Sequence, residues 1–103
     1  MKIELLSLAV DDLEDGRQFY ERQQEQLGIY FLDTLFSDID SLLLYAGIHS
    51  RYFGYHRMLS KRFPYAIYYK VAADRIEVWR VLDCRQHPSR TRLALDESRE
   101  PHR

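Results

Sequence analysis

The 103-residue chain has little cysteine, proline, glycine or tryptophan: one, three, four and one of each. A single thiol, Cys84, leaves no internal disulfide framework and no cysteine-based zinc site. So few glycines and prolines exclude a collagen-like or low-complexity chain. Long apolar runs are missing too. The longest is Leu42 to Ile48, whereas a transmembrane helix needs about 20 such residues in a row. The N-terminal MKIELLSLAVDDLEDG has one lysine and a short apolar stretch, but acids stand where a cleavage site would need small residues. No signal peptide is expected, and the protein is read as cytoplasmic. Against these absences stand 46% hydrophobic, 14% aromatic and 30% charged residues, the composition of one globular domain with room for one core.

The net charge of −1 conceals a division. Residues 1–50 hold ten acids and three bases, and residues 51–103 hold twelve bases and six acids. The halves are therefore −7 and +6. Such a division marks either two surfaces that attract one another within one domain or a face for an acidic partner or nucleic acid. A total near zero counts against a nuclease that must grip RNA through its phosphates, although the basic half could face the RNA while the acidic half faces away.

Ile3 to Val10 is apolar and free of glycine and proline, which predicts a strand. Asp11 or Asp12 then offers an N-cap, with Glu14 and Asp15 in the first turn. Leu13, Gly16, Tyr20, Gln23 and Leu27 share a stripe that ends at Gly28, read as a helix stop. From Ile29 to Ala46 the helical pattern is stronger, with Leu32, Leu35, Phe36, Ile39, Leu42, Leu43 and Ala46 on one face and Gly47 as the stop. Beyond it the chain turns aromatic and β-branched. Arg51 to Leu59 is predicted as a strand with a bulge at Gly54. Tyr65 to Val71 is a second, with Tyr65, Ile67, Tyr69 and Val71 on one face and Ala66, Tyr68 and Lys70 on the other. Arg75 to Leu82 is a third, grouping Ile76, Val78 and Arg80 against Glu77, Trp79 and Val81. A short helical turn near Ser89 to Ala94 and a mobile polar tail from Asp96 to Arg103 complete the reading, so the domain is placed at residues 1–95 and the tail at 96–103. The fold class is α+β: an antiparallel sheet in the order β-α-α-β-β-β with the helical hairpin on one face, where each helix buries its single stripe.

The segment Arg62 to Pro88, RFPYAIYYKVAADRIEVWRVLDCRQHP, resembles the signature of the RelE/ParE toxin superfamily. Its pattern is a strand of the form F-P-Y-x-I-x-Y, a hairpin, then a strand ending V-L-x-x-R with a proline a few residues on. Asp12-Leu13-Glu14-Asp15, Phe19-Tyr20-Glu21, Leu27-Gly28 and Phe31-Leu32 are similar, in the same order, to plasmid-stabilisation members. The resemblance implies the architecture just described and a bacterial toxin of a type II toxin–antitoxin module. It also implies a small cognate antitoxin whose C-terminal segment orders on the toxin surface within a hetero-oligomer. Eight tyrosines and five phenylalanines supply more aromatic surface than a small core hides, and some could line that groove.

Two branches of the superfamily act differently. One cleaves messenger RNA at the ribosome, which needs cations around the scissile phosphate and groups that move protons; the other inhibits DNA gyrase and cuts nothing. The arginine that the cleaving branch carries after the opening aromatic of its third strand is replaced here by Ala66, behind Tyr65. Its second arginine survives as Arg85, and His87 is the remaining candidate for proton transfer. The resemblance therefore favours a ParE-like toxin that binds a macromolecular target such as DNA gyrase. The alternatives are a ribosome-dependent messenger RNA endonuclease using Arg85 and His87, and an inactive relative that only binds an antitoxin. Arg57, Lys61, Arg62, Arg80 and Arg85 are the candidate target- or phosphate-binding residues. His49 and His56 have no carboxylate or cysteine at ligand spacing, so no metal is assigned, and no cofactor or membrane partner is expected. Cys84, between Arg80 and Arg85, is a candidate for a lowered thiol pKa, with burial as a small apolar residue the commoner outcome.

Overall fold

The computed structural model describes residues 1–99. Its elements are β1 (Lys2–Leu5), α1 (Ser7–Gln23), α2 (Leu27–Asp40), α3 (Leu42–Tyr45), β2 (Arg51–Tyr52), β3 (Tyr55–Leu59), β4 (Tyr65–Val71), β5 (Arg75–Asp83) and α4 (Pro88–Arg99). The five strands form one sheet in the order β1-β5-β4-β3-β2. Neighbours from β5 to β2 are antiparallel, whereas β1 lies parallel to β5 at the edge. The α+β class and the N-terminal helical hairpin are as the sequence predicts, with this one parallel pair added. No helix among the described residues is long and apolar enough to cross a membrane.

The first strand is shorter than predicted. It ends at Leu5, and α1 begins at Ser7 with no side-chain cap. The reason is the stripe Ala9, Leu13, Gly16, Tyr20, which is buried at helical spacing and starts before the acids read as a cap. Asp12 consequently lies inside α1. Gly28 does not stop that helix either. The chain turns at Gln26, which adopts a left-handed φ of 69°, and Gly28 sits in the first turn of α2, where a Cβ would lie 2.6 Å from the Arg17 carbonyl oxygen. Gly28 thus lets α1 and α2 approach closely. Glu21 secures the same corner by accepting from the Gln26 and Gly28 amides at 3.0 Å each.

The helix expected over residues 29–46 is interrupted at Ser41, which separates α2 from α3. Of its expected stripe, Phe36 and Leu43 face outward, while Phe31, one turn before Leu35, is buried instead. The strand expected over residues 51–59 is a hairpin. Phe53 and Gly54 both have positive φ, 52° and 88°, as a two-residue loop between twisted strands requires. β4 has the predicted boundaries and the predicted faces: Tyr65, Ile67 and Tyr69 join one cluster, Ala66 and Tyr68 the other. In β5 the alternation breaks. Tyr68 pairs with Arg80 but Tyr69 pairs with Val78, which leaves Trp79 as a bulge. Val81 therefore joins Ile76 and Val78 on the hairpin side, while Arg80 and Leu82 face the other way.

That other side is covered as well. α4 runs from Pro88 to Arg99 in place of a short turn, so the boundary expected after Leu95 falls inside a helix. It buries Thr91, Leu95 and Ser98, spaced four and three apart; two of the three are polar, which is why hydropathy alone underestimates it. Of the predicted tail, residues 100–103 lie outside the described residues.

Candidate binding surface beside the C-terminal helix

The basic side chains singled out in the sequence do not form one cluster. Arg57 is the best placed. It projects from β3 on the α4 side of the sheet, where its Nε donates to the Tyr68 hydroxyl at 3.2 Å and its Nη2 reaches Cys84 Sγ at 3.7 Å. The guanidinium lies over the Tyr52 ring, 5.4 Å from its centroid. β2, β3, β4 and the turn just after β5 therefore each contribute one member: Tyr52, Arg57, Tyr68 and Cys84. Phe53 extends the surface toward α4, with the Arg92 guanidinium 5.3 Å from its ring. A non-glycine residue with left-handed φ is costly, and here it holds an aromatic ring beside the Arg92 guanidinium and 4.5 Å from the Tyr52 ring.

The electrostatics of this cluster are simple. Arg57 is charged and among the described residues has no carboxylate partner, its contacts being a phenol, a thiol and a π face. Burial pushes the Tyr68 hydroxyl up, partly opposed by Arg57. Burial also pushes the Cys84 thiol up, again against Arg57. Cys84 is exposed at the residue level, so it is neither a buried apolar residue nor a thiol of lowered pKa. A cation flanked by flat aromatic rings can take a phosphate or a carboxylate and stack on a planar group.

The remaining candidates lie elsewhere. Lys61 and Arg62 are exposed in the β3–β4 loop, which Asp38 anchors by accepting from Ser60 Oγ at 2.6 Å and the Lys61 amide at 3.3 Å. Arg85 is exposed but clamped by its neighbour, donating to both Asp83 oxygens at 3.0 and 2.7 Å. That pairing raises Arg85 and lowers Asp83 from their ordinary values. His87 caps α4: its Nδ1 accepts from the Ser89 amide at 3.1 Å, and its carbonyl accepts from the Arg90 amide at 2.9 Å. Pro88 follows at the first helical position, where its missing N–H costs nothing. Among the described residues no hydrogen bond joins Arg85 to His87.

Arg80 is not a surface residue. Its side chain and that of Asp12 are each 10% exposed, and they form a two-pronged ion pair at 2.7 and 2.9 Å. Arg80 also donates to the Ala94 carbonyl and Ser98 Oγ of α4, and Asp12 accepts from the Val81 amide at 2.9 Å. Burial pushes Asp12 up and the arginine opposes it. The pair ties α1, β5 and α4 together. Beside it an open groove of about 340 Å³ is lined by Asp12, Asp15, Phe19, Tyr65, Asp83 and Gln86 among others. Its wall carries three carboxylates against one arginine, Arg80, a negative balance that is the wrong sign for a phosphate. Among the described residues no three His, Cys, Asp or Glu side chains converge as metal ligands would.

Tyr52, Tyr68 and the Asp12 partner of Arg80 were not singled out in the sequence. Period-two alternation in β4 puts Tyr68 on the side away from the hairpin, but only strand register sets it beside Arg57.

No protein-family model matches the sequence, and no curated protein matches it. A solved structure does: a chain of the chromosomal ParDE TA system from P. aeruginosa, with a TM-score of 0.71, 16% identity, and coverage of 79% of this chain and 92% of that one. The chain has a ParE-like fold.

Proposed function

We propose that this chain is the toxin of a type II toxin–antitoxin module, that it acts by binding a macromolecular target of the DNA gyrase class, and that a cognate antitoxin neutralises it in a hetero-oligomer in the cytoplasm. The observation that carries the reading is the likeness of fold to a chain of a ParDE system. The binding character of the site supports the rest. Arg57 with Tyr52 and Tyr68 offers recognition, while the two residues that a cleaving enzyme would use are engaged otherwise: His87 caps a helix and Arg85 is held by Asp83. Arg57, Lys61, Arg62 and Arg85 are then the target-contacting cations.

The test is induction of the isolated chain in a bacterial host, with DNA-damage signalling followed alongside mapped transcript ends. The expected result is growth arrest with damage signalling and intact transcripts, relieved by Arg57→Gln. Transcript cuts at the ribosome that vanish with His87→Ala would assign the endonuclease chemistry instead. Growth unaffected by the chain would leave only antitoxin binding.

A further inference from the structure

α2 and α3 bury one stripe, Phe31, Leu35, Ile39 and Leu42, against the sheet. They carry a second apolar stripe that faces outward. Ile29, Phe36 and Leu43 follow at intervals of seven residues and are 59%, 41% and 55% exposed. A seven-residue interval drifts only about 20° around a helix, so Ile29 and Phe36 lie about 10 Å apart nearly along the α2 axis, and Leu43 carries the exposed row past Ser41 into α3. Leu44 and Ile48 prolong it, at 81% and 73% exposed. Residues 29–48 in fact hold seven of the fourteen large exposed apolar side chains among the described residues. Scattered single apolar residues need no explanation, but a concentration like this marks an interaction surface.

The charge beside the stripe is of one sign. Asp33 and Asp40, also seven residues apart, each follow a stripe residue by four positions and are exposed. Neither has a hydrogen bond or ion pair among the described residues. Residues 27–46 contain three acids and no base, and the third acid, Asp38, is buried against Ser60. An apolar seam with a seven-residue period, flanked by charge at the same period, is the pattern one helix presents to another.

We infer that the outward face of α2 and α3 docks an amphipathic helix of a partner protein whose apolar seam is flanked by lysine or arginine. A basic flank would pair with Asp33 and Asp40, which no group among the described residues pairs with. A second copy fits poorly, because a symmetric α2–α2 contact sets these acids against themselves. The inference is independent of the toxin reading, since it concerns what covers α2 and not what Arg57 contacts.

The experiment uses two labelled synthetic helical peptides with leucine at the seam positions, one flanked by lysine and the other by glutamate, and measures fluorescence anisotropy with the full chain at low salt. The lysine peptide is expected to bind the native protein and to lose about tenfold in affinity for Asp33→Lys/Asp40→Lys, as two solvated ion pairs would give. The glutamate peptide should show the opposite order on that variant. Phe36→Ser should weaken both while leaving the thermal midpoint unchanged, because the residue lies outside the core. Equal binding of the lysine peptide to the native and charge-reversed chains, undiminished binding to Phe36→Ser, or no binding to the native protein would each overturn the inference. So would a native dimer that Phe36→Ser converts to monomer, which would assign the face to a second copy.

Discussion

The two sides of the sheet are held in different ways. On the hairpin side α1, α2 and α3 bury one continuous cluster in which Phe31, Leu35, Ile67, Tyr69 and Val78 are fully enclosed. Its centre is aromatic: Phe31 lies 5.1 Å from Tyr20, 5.1 Å from Phe63 and 4.9 Å from Tyr65 between ring centroids. The α4 side is smaller and more polar. Tyr55, Ala66, Tyr68, Leu82 and Leu95 form its cluster, Lys70 lies over the Tyr55 and Trp79 rings, and the Asp12–Arg80 pair anchors the helix. The hairpin side is stabilised mainly by apolar area, with the His49–Tyr69 contact as its titratable element. The α4 side depends on a few directional contacts and is therefore the side that a partner or a change of conditions can alter.

The largest effect should come from truncating the aromatic centre. Phe31→Ala is expected to destabilise the chain by about 4 kcal/mol in denaturant unfolding, from lost transfer energy and the cavity left between Tyr20, Phe63 and Tyr65. A loss below about 1 kcal/mol would break the contrast, because the hairpin side would not then be the main source of stability.

Next comes the polar anchor of α4. Asp12→Ala leaves the Arg80 guanidinium buried without its carboxylate and should cost about 3 kcal/mol. The double variant Asp12→Leu/Arg80→Met should recover most of that, since a buried ion pair is often replaceable by packed apolar groups. Hydrogen exchange sharpens the comparison. In Asp12→Ala, amides of α4 should lose protection more than those of β4, and uniform loss would mean that both sides open as one unit.

A smaller effect concerns pH. His49 Nδ1 lies 2.5 Å from the Tyr69 hydroxyl, and burial together with His56 lowers its pKa below the ordinary 6.5. The folded state therefore binds this proton less readily than the unfolded chain, and stability should fall as pH drops through and below 6.5. His49→Gln should flatten that part of the stability profile. An unchanged slope would show that the histidine contributes nothing.

The smallest effect lies on the solvent side of α1. Arg17 donates to both Glu14 oxygens at 2.8 and 2.7 Å, and this lowers the carboxyl from 4.5 to about 2. Its stabilisation is complete above pH 4.5 and lost as pH falls through about 2. Carbon-detected NMR titration should place the Glu14 midpoint below the ordinary 4.5, while Glu14→Gln should barely move the thermal midpoint, as expected of an exposed pair.

Much of the fold was legible in the sequence because hydrophobic spacing is local information. The alternation of β4 reports which face is buried. The α2 stripe does so only in part, since Leu35, Ile39 and Leu42 are buried while Phe36 and Leu43 face outward and Phe31 takes their place in the core. The misreadings share a physical cause. The start of α1 was hidden because Leu5, Leu6 and Leu8 look alike to a strand and to a helix, and only the packing of Ala9 and Leu13 decides between them. The Trp79 bulge changes which side Arg80 occupies, and no spacing rule announces a bulge. α4 was underestimated because it docks through Thr91 and Ser98 as well as Leu95.

The candidate site was legible only in part for a related reason. Arg57, Lys61, Arg62, Arg80 and Arg85 are alike as residues, and their difference is one of partners. Arg80 meets Asp12, 68 positions away in the chain, and becomes structural. Arg85 meets its near neighbour Asp83, and Arg57 meets aromatic rings and a thiol. The sequence by itself determined the α+β class, the helical hairpin, the two faces of β4 and the separation of acid from base along the chain, all of which follow from short-range pattern. Strand register, the bulge and the docking of α4 decided which cations are neutralised and which remain available, because ion pairing requires contact between residues that only tertiary folding brings together.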